Sequence, residues 1–210
     1  LSSATKSVTV VKGSTGNRSY TANWSLNTYT ISYTLNGGNI SGQKTSYNVT
    51  TEAFALPTPS RNGYTFTGWT GTGLSSATKS VTVAKGSTGN RNYTANWSAN
   101  KYTVSFNYNK PTTDGIIGNA GTTSKAVTFN STYGTLPTPT LNGYTFAGWY
   151  TAATNGTKVS DTTKYTTAGN STLYAHWNLN TYSIGYNLNG GSISGQPTSY
   201  NVNTATFTLP

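Results

Sequence analysis

The sequence predicts a mainly β protein laid out as a tandem array of small domains, and three observations predict it. Its 210 residues contain long internal copies, its apolar residues alternate singly with Thr and Ser, and its 23 glycines and 16 tyrosines stand beside a charged fraction of only 8%. Repetition at a fixed spacing decides the architecture before any single motif does. Residues 1–24 reappear as 74–97 with two changes, Val11 to Ala84 and Ser19 to Asn92, an offset of 73. Residues 29–57 reappear as 182–210, both copies reading L-N-G-G-x-I-S-G-Q and then T-S-Y-N-V, an offset of 153. The difference, 80 residues, is the length of a diverged repeat between them.

These spacings divide the chain into the rear part of a repeat (1–24), a complete repeat (28–97), a complete but diverged repeat (101–177) and the front part of a further repeat (181–210). The links Ser25-Leu26-Asn27, Ser98-Ala99-Asn100 and Asn178-Leu179-Asn180 contain neither Gly nor Pro, so consecutive repeats are expected to be stiffly coupled. An extended rod follows, in which each repeat touches only its neighbours. The two end pieces are each short of a whole repeat, the mark of a window on a longer array. Adjoining material would complete them, either covalently continuous or supplied by another copy through strand addition. Joining the two pieces omits the 16 residues equivalent to Thr58–Gly73, including the strand around Trp69, which favours a longer array over self-completion.

Within a repeat, Tyr29, Ile31, Tyr33 and Leu35 alternate with Thr30, Ser32 and Thr34, the period-two pattern of a strand with one buried face. Tyr102, Val104, Phe106 and Tyr108 repeat that pattern. Asn36-Gly37-Gly38 supplies residues tolerant of positive φ for a hairpin-type turn, and Tyr47 with Val49 makes the return. Tyr64-Thr65-Phe66 after an Asn-Gly pair, the Val/Thr run Ser80–Val83 and the alternating Tyr93–Trp97 bring the count to four or five short strands. Ser75–Lys79 and Ser160–Lys164 each begin with a Ser able to cap a helical turn, which adds a small α component.

A repeat of this size is near the lower limit for one hydrophobic core, and the chain has no cysteine with which to staple it. Aromatic burial must compensate, each ring removing roughly 150–250 Å² from water, or about 4–6 kcal/mol gross. The expected core is Trp69, Trp97, Tyr64 and Phe66 in one complete repeat and Trp149, Trp177, Tyr144 and Phe146 in the other.

Both complete repeats carry L-P-T-P-x-x-N-G-Y-T-F-x-G-W, at 56–69 and 136–149, followed by a closing aromatic strand at Tyr93–Trp97 or Tyr174–Trp177. This combination resembles the Listeria/Bacteroides surface repeat, also known as the internalin B-repeat. The resemblance implies a small β-grasp-like domain, strung in tandem in secreted or wall-attached bacterial proteins that serve as stalks, adhesins or filament-like appendages. The middle repeat, with Gly148-Trp149-Tyr150-Thr151, is the closer match; the first has Trp69-Thr70-Gly71-Thr72-Gly73 where the family carries Trp-Tyr-Thr.

Catalytic raw material is scarce. Thirteen Lys and Arg face three acids, a net charge of +10 spread from Lys6 to Lys164 without a basic run. Such a field attracts anionic polymers at low salt. The acids Glu52, Asp114 and Asp161 form no recurring pair, which argues against glycosidase chemistry and a calcium cage. His176 stands where the other copies have Asn23 and Asn96, an exposed strand position without a second ligand or an acid nearby. Gly37-Gly38 and Gly86–Gly89 lead into no helix and read as turns, not phosphate cradles. A Lys–Asn isopeptide bond needs a buried acid, for which the first repeat offers only Glu52. Leu56-Pro57-Thr58-Pro59 lacks the Thr-Gly and apolar tail of a sorting signal and reads as a Pro-stiffened loop.

No residue is therefore assigned as catalytic, cofactor-binding or metal-binding, and no run approaches the roughly 18 apolar residues of a membrane span. The reading is a non-enzymatic structural segment of a bacterial extracellular fibre, filament or adhesin stalk, secreted or at the cell surface. Its partners are adjacent repeats of the same or neighbouring chains, with filament self-assembly among the consequences. The alternative is a binding module in which exposed Tyr and diffuse positive charge hold glycans, anionic wall polymers or extracellular nucleic acid.

Overall fold

A computed structural model describes residues 5–111, 117–118 and 121–209. The strands are β1 (Tyr29–Thr34), β2 (Ser46–Tyr47), β3 (Phe54–Ala55), β4 (Tyr64–Gly71), β5 (Thr82–Val83), β6 (Arg91–Ala99), β7 (Lys101–Asn107), β8 (Ile117–Gly118), β9 (Ser124–Thr128), β10 (Thr140–Leu141), β11 (Tyr144–Tyr150), β12 (Lys158–Val159), β13 (Ser171–Leu179), β14 (Tyr182–Ser183) and β15 (Ser199–Tyr200). The fold is mainly β, with no helix among the described residues. Two compact units divide the chain, 1–59 with 67–96 and 60–66 with 97–210.

In the first unit β1 pairs antiparallel with β2, Tyr29 opposite Tyr47, and parallel with β6, Ile31 opposite Arg91 through Thr34 opposite Thr94. The sheet runs in the order β2-β1-β6-β4, while β3 and β5 pair separately, Phe54 opposite Val83. The alternation read from the sequence holds, with Ile31 buried and Thr30, Ser32 and Thr34 exposed. Ile31, Tyr47, Leu56, Trp69, Val81, Val83, Tyr93 and Ala95 make the core. Trp69 is fully enclosed, its ring 5.7 Å edge-on from Tyr33 and 6.5 Å from Tyr93.

The second unit carries the larger sheet, β8-β10-β11-β13-β7-β9, with β12 added to β11. Its parallel pair β7–β13 places Val104 opposite Ser171 and Phe106 opposite Leu173. Shifted by 73 and 80 residues, these are the positions that face each other between β1 and β6. Val104, Phe106, Val127, Tyr133, Trp149, Val159, Tyr165, Leu173 and Ala175 form one buried cluster. Trp149 lies 4.7 Å from Phe106 and donates its indole N–H to the Pro137 carbonyl at 2.7 Å.

The structure corrects three sequence expectations. Ser75–Lys79 is no helical turn: Thr78 exchanges both backbone hydrogen bonds with Trp69, at 2.8 and 2.9 Å. Ser160–Lys164 is a single turn closed by Thr163 N–H to Ser160 C=O at 3.0 Å, after which Lys164 bridges Thr132. Five residues cannot repay helix nucleation when a strand partner is at hand. Strands exceed the predicted four or five because β3, β8, β10 and β12, which the sequence reading did not include, are two residues long, too short to show alternation. The core also differs. Trp69, Trp149 and Phe66 are buried, but Tyr64, Trp97, Tyr144, Phe146 and Trp177 are only half-buried. Trp177 keeps its indole N–H near the rim, donating to the Tyr108 carbonyl at 2.8 Å, while Tyr93, Tyr165 and Leu173 occupy the depth.

Tyr33 and Tyr133 have their phenol pKa raised from 10.0, first by burial and then by the charge of Tyr93 and Tyr165 respectively. A raised folded-state pKa means the stabilising contribution is complete below about pH 10 and is lost as pH climbs through the folded value. Alkaline titration followed by tyrosinate absorbance and circular dichroism should show unfolding setting in above about pH 10. Tyr33→Phe with Tyr133→Phe should move that onset upward; an unchanged onset would disconnect these phenols from alkaline stability.

Candidate functional site

The arrangement with the strongest claim to function lies in the second compact unit and is built twice. In Asn62-Gly63-Tyr64-Thr65-Phe66, Gly63 adopts φ +76° and lies so close under the Phe129 ring that a β-carbon would collide with it. Only glycine meets both demands. The link residue Asn100 is then held on three sides. Its N–H donates to the Gly63 carbonyl at 3.0 Å, its own carbonyl accepts from Phe129 N–H at 2.9 Å, and its side-chain oxygen accepts from the Thr65 hydroxyl at 2.6 Å. Tyr64 meets Phe129 edge to face at 5.4 Å, and the Arg61 guanidinium covers the Tyr64 ring at 3.8 Å.

Eighty residues on, two of these three bonds recur. Gly143 has φ +75° and is covered by Val202. Asn180 N–H donates to the Gly143 carbonyl at 2.9 Å, and the Thr145 hydroxyl donates to the Asn180 side chain at 2.7 Å. The Asn203 amide donates to the Tyr144 hydroxyl at 3.2 Å. Phe129 and Val202 both occupy the repeat position of Val49. Each hydrogen bond is worth about 1 kcal/mol net and the aromatic edge contact about 0.5–1.5 kcal/mol. A link of three residues is thereby fixed at its last member. Sequence reading had assigned Tyr64 and Tyr144 to the core; they belong to this joint. The Asn closing all three links, at 27, 100 and 180, was the signal available for it.

The charged candidates do not converge. Glu52 and Lys85 form an exposed ion pair at 2.6 Å, and the Asp161 side chain is exposed. Asp114 lies outside the described residues. Among the described residues no three His, Cys, Asp or Glu could hold a metal. An exposed pair of this kind contributes up to about 1 kcal/mol, so Glu52→Gln should lower the unfolding free energy from a urea titration by no more than that; a larger loss would mean the pair does more than its exposure allows.

His176 departs from the expected exposed position. It is half-buried, stacked flat on Tyr150 at 3.9 Å, with Nε2 3.0 Å from the Ala152 carbonyl. In the first unit Asn96 stands there and donates to the Gly68 carbonyl at 3.1 Å and the Thr70 hydroxyl at 3.0 Å. Both side chains tie neighbouring strands together. The glycine pairs are turns: Asn36 and Gly37 have φ of 50° and 83°, and Gly38 N–H closes on the Leu35 carbonyl at 3.0 Å.

Comparison with known proteins agrees with the repeated design. The profile of the Listeria-Bacteroides repeat domain matches residues 29–96 and again 102–176. Over 143 residues the chain is 35% identical to Internalin H of Listeria monocytogenes, covering 67% of this chain and 24% of that protein. Over 176 residues it is 30% identical to a putative Gly-rich membrane protein of Evansella cellulosilytica, covering 81% of this chain and 18% of that protein. A putative membrane protein of the same organism is 29% identical over 170 residues, 80% of this chain and 24% of its own length. The chain thus spans about a quarter or less of each of these relatives. Because the two matched stretches exceed half of its residues, the chain belongs to the Listeria-Bacteroides repeat domain family.

Proposed function

We propose that this chain is a spacer: a segment of a bacterial cell-surface or extracellular fibre, filament or adhesin stalk, without catalysis, in which small β-grasp-like repeats are joined into a stiff rod. The observation that carries this reading is the recurrence of the Gly-Tyr-Thr and Asn joint at 63–100 and 143–180 with two hydrogen bonds in common, Asn N–H to the Gly carbonyl and Thr hydroxyl to the Asn side chain. On this reading 28–97 and 101–177 are complete repeats, and 1–24 and 181–210 are a rear and a front piece. The shared register of β1–β6 and β7–β13 supports it. The parallel first and last strands, lying side by side within a mixed sheet, support the β-grasp-like comparison. The similarity to Internalin H supports the surface location.

If the joint sets stiffness, Asn100→Gly with Asn180→Gly removes three side-chain hydrogen bonds, to Thr65, Tyr102 and Thr145, and frees both links. Small-angle scattering should then show a more flexible particle while the circular dichroism of the repeats is unchanged. Scattering curves that superimpose would remove the joint from the mechanism. A second reading, capture of anionic glycan or nucleic acid, is favoured by the net charge of +10. Binding on a glycan array that fades with salt and is abolished by one exposed Tyr substitution would support it.

A further inference from the structure

On β11 and β13 the pleat sends Trp149 and Ala175 into the core and Tyr150, Tyr174 and His176 to the opposite face. Tyr150 stands opposite Tyr174 on β13 and opposite Lys158 on β12. All three rings are half-buried, and Lys158 is exposed. The Tyr150 and His176 rings stack at 3.9 Å with only 8° between their planes. Lys158 runs across Gly148, the residue opposite His176, with its Cε and Nζ 2.6 and 3.3 Å from where a β-carbon on that glycine would stand. A cation is thereby carried over the strand toward the ring pair. Among the described residues the Lys158 ammonium makes no ion pair, and the hydroxyls of Tyr150 and Tyr174 make no hydrogen bond.

The fold does not require these side chains. At the equivalent positions, 80 residues earlier, stand Thr70, Thr94 and Asn96. There Asn96 closes the face on itself, donating to the Thr70 hydroxyl at 3.0 Å and to the Thr94 carbonyl at 3.2 Å. Small polar residues therefore suffice to tie these strands together. In the diverged repeat the same place carries flat rings, two unengaged phenols and an unneutralised cation, with no carboxylate among them.

We propose that the face formed by Tyr150, His176, Tyr174 and Lys158 is a binding site for an acidic oligosaccharide of the uronate type. A pyranose ring lays its C–H face against an aromatic ring, its hydroxyls exchange hydrogen bonds with the two phenols, and its carboxylate pairs with Lys158. The Tyr150–His176 stack holds its rings in place before a ligand arrives, so little side-chain freedom is lost on binding. A nucleic acid is served less well, because a strand of phosphates needs a groove of positive charge that follows it. The β7 residues beside these rings, Ser105 and Asn107, are uncharged. The proposal rests on the anionic-glycan reading above and gives it a place and a ligand class.

Calorimetric titration of the full chain at low salt tests it, with a short oligogalacturonate, a neutral oligogalactoside of the same length and an oligothymidylate as probes. The acidic sugar should bind at least about tenfold more tightly than either of the others. Tyr150→Thr with Tyr174→Thr, and separately Lys158→Gln, should each weaken its binding at least about tenfold. Lys79→Gln, at an exposed lysine of the other unit, should leave it unchanged. Threonine is what the other repeat carries at both tyrosine positions, and an unchanged urea midpoint checks that the variant folds. His176→Asn, again the residue of the other repeat, removes the stack and should weaken binding in the same direction. Binding weakened equally by Lys158→Gln and Lys79→Gln, or by neither, would leave capture by diffuse charge standing and overturn this site. No binding of any anionic probe would overturn both. Oligothymidylate bound as tightly as the acidic sugar, and lost with the same tyrosines, would overturn the ligand class.

Discussion

Trp69→Ala should unfold the repeat matched at 29–96 and Trp149→Ala that at 102–176, each change leaving the other cooperative. Removing a buried Trp costs about 3–5 kcal/mol. A domain of some 70 residues has a total stability of only roughly 4–10 kcal/mol at about 0.05–0.15 kcal/mol per residue. Trp69 and Trp149 are 0% and 2% exposed and contact equivalent rings, Tyr33 and Phe106. Trp149 also leaves the Pro137 carbonyl without its donor when removed. Urea titration with tryptophan fluorescence and near-ultraviolet circular dichroism reads the result. Two transitions should separate in each variant, one near its original midpoint and one shifted far down. A single, slightly lowered transition would mean that the cores are not independent.

Gly63→Val and Gly143→Val should open the joints. Valine at φ near +75° is strained by about 1–3 kcal/mol, and its branches would occupy the space held by Phe129 or Val202. The Asn-Gly turn stands outside the buried cluster around Trp149, so the repeat cores should survive while the bonds from Asn100 or Asn180 are lost. Hydrogen exchange should report it directly. The amides of Asn100 and Phe129 should lose protection in Gly63→Val, and that of Asn180 in Gly143→Val, by roughly tenfold or more, a change of about 1.4 kcal/mol. Val104 and Leu173 should keep theirs. Protection unchanged at Asn100 would show that the turn tolerates a side chain and that the fit over Gly63 is unimportant.

The strand at Tyr29–Thr34 and the two buried tryptophans were legible because they rest on period-two alternation and on a motif that occurs twice. The Val/Thr run Ser80–Val83 was legible, but Phe54-Ala55 was not, being too short to carry a period and recognised only through its partner Thr82-Val83. Two of the eight expected core aromatics, Tyr64 and Tyr144, were misplaced for one reason. A tyrosine next to Asn-Gly reads as core, but Tyr64 packs on Phe129 and Tyr144 bonds to Asn203, residues distant in sequence. Likewise His176 looked exposed because its neighbours in sequence are strand residues, whereas its partner Tyr150 comes from the adjacent β11. Joints are invisible until the partner strand is placed. Only the recurrence of Asn at the end of each link hinted at them.

Spin labels at Ser76→Cys and Thr162→Cys, both exposed positions in a chain otherwise free of cysteine, allow a pulsed dipolar measurement across the Gly63–Asn100 joint. A stiff spacer gives one narrow distance distribution, which broadens in Asn100→Gly. A distribution already broad in the unaltered chain, and indifferent to Asn100→Gly, would contradict a rod held rigid at its joints.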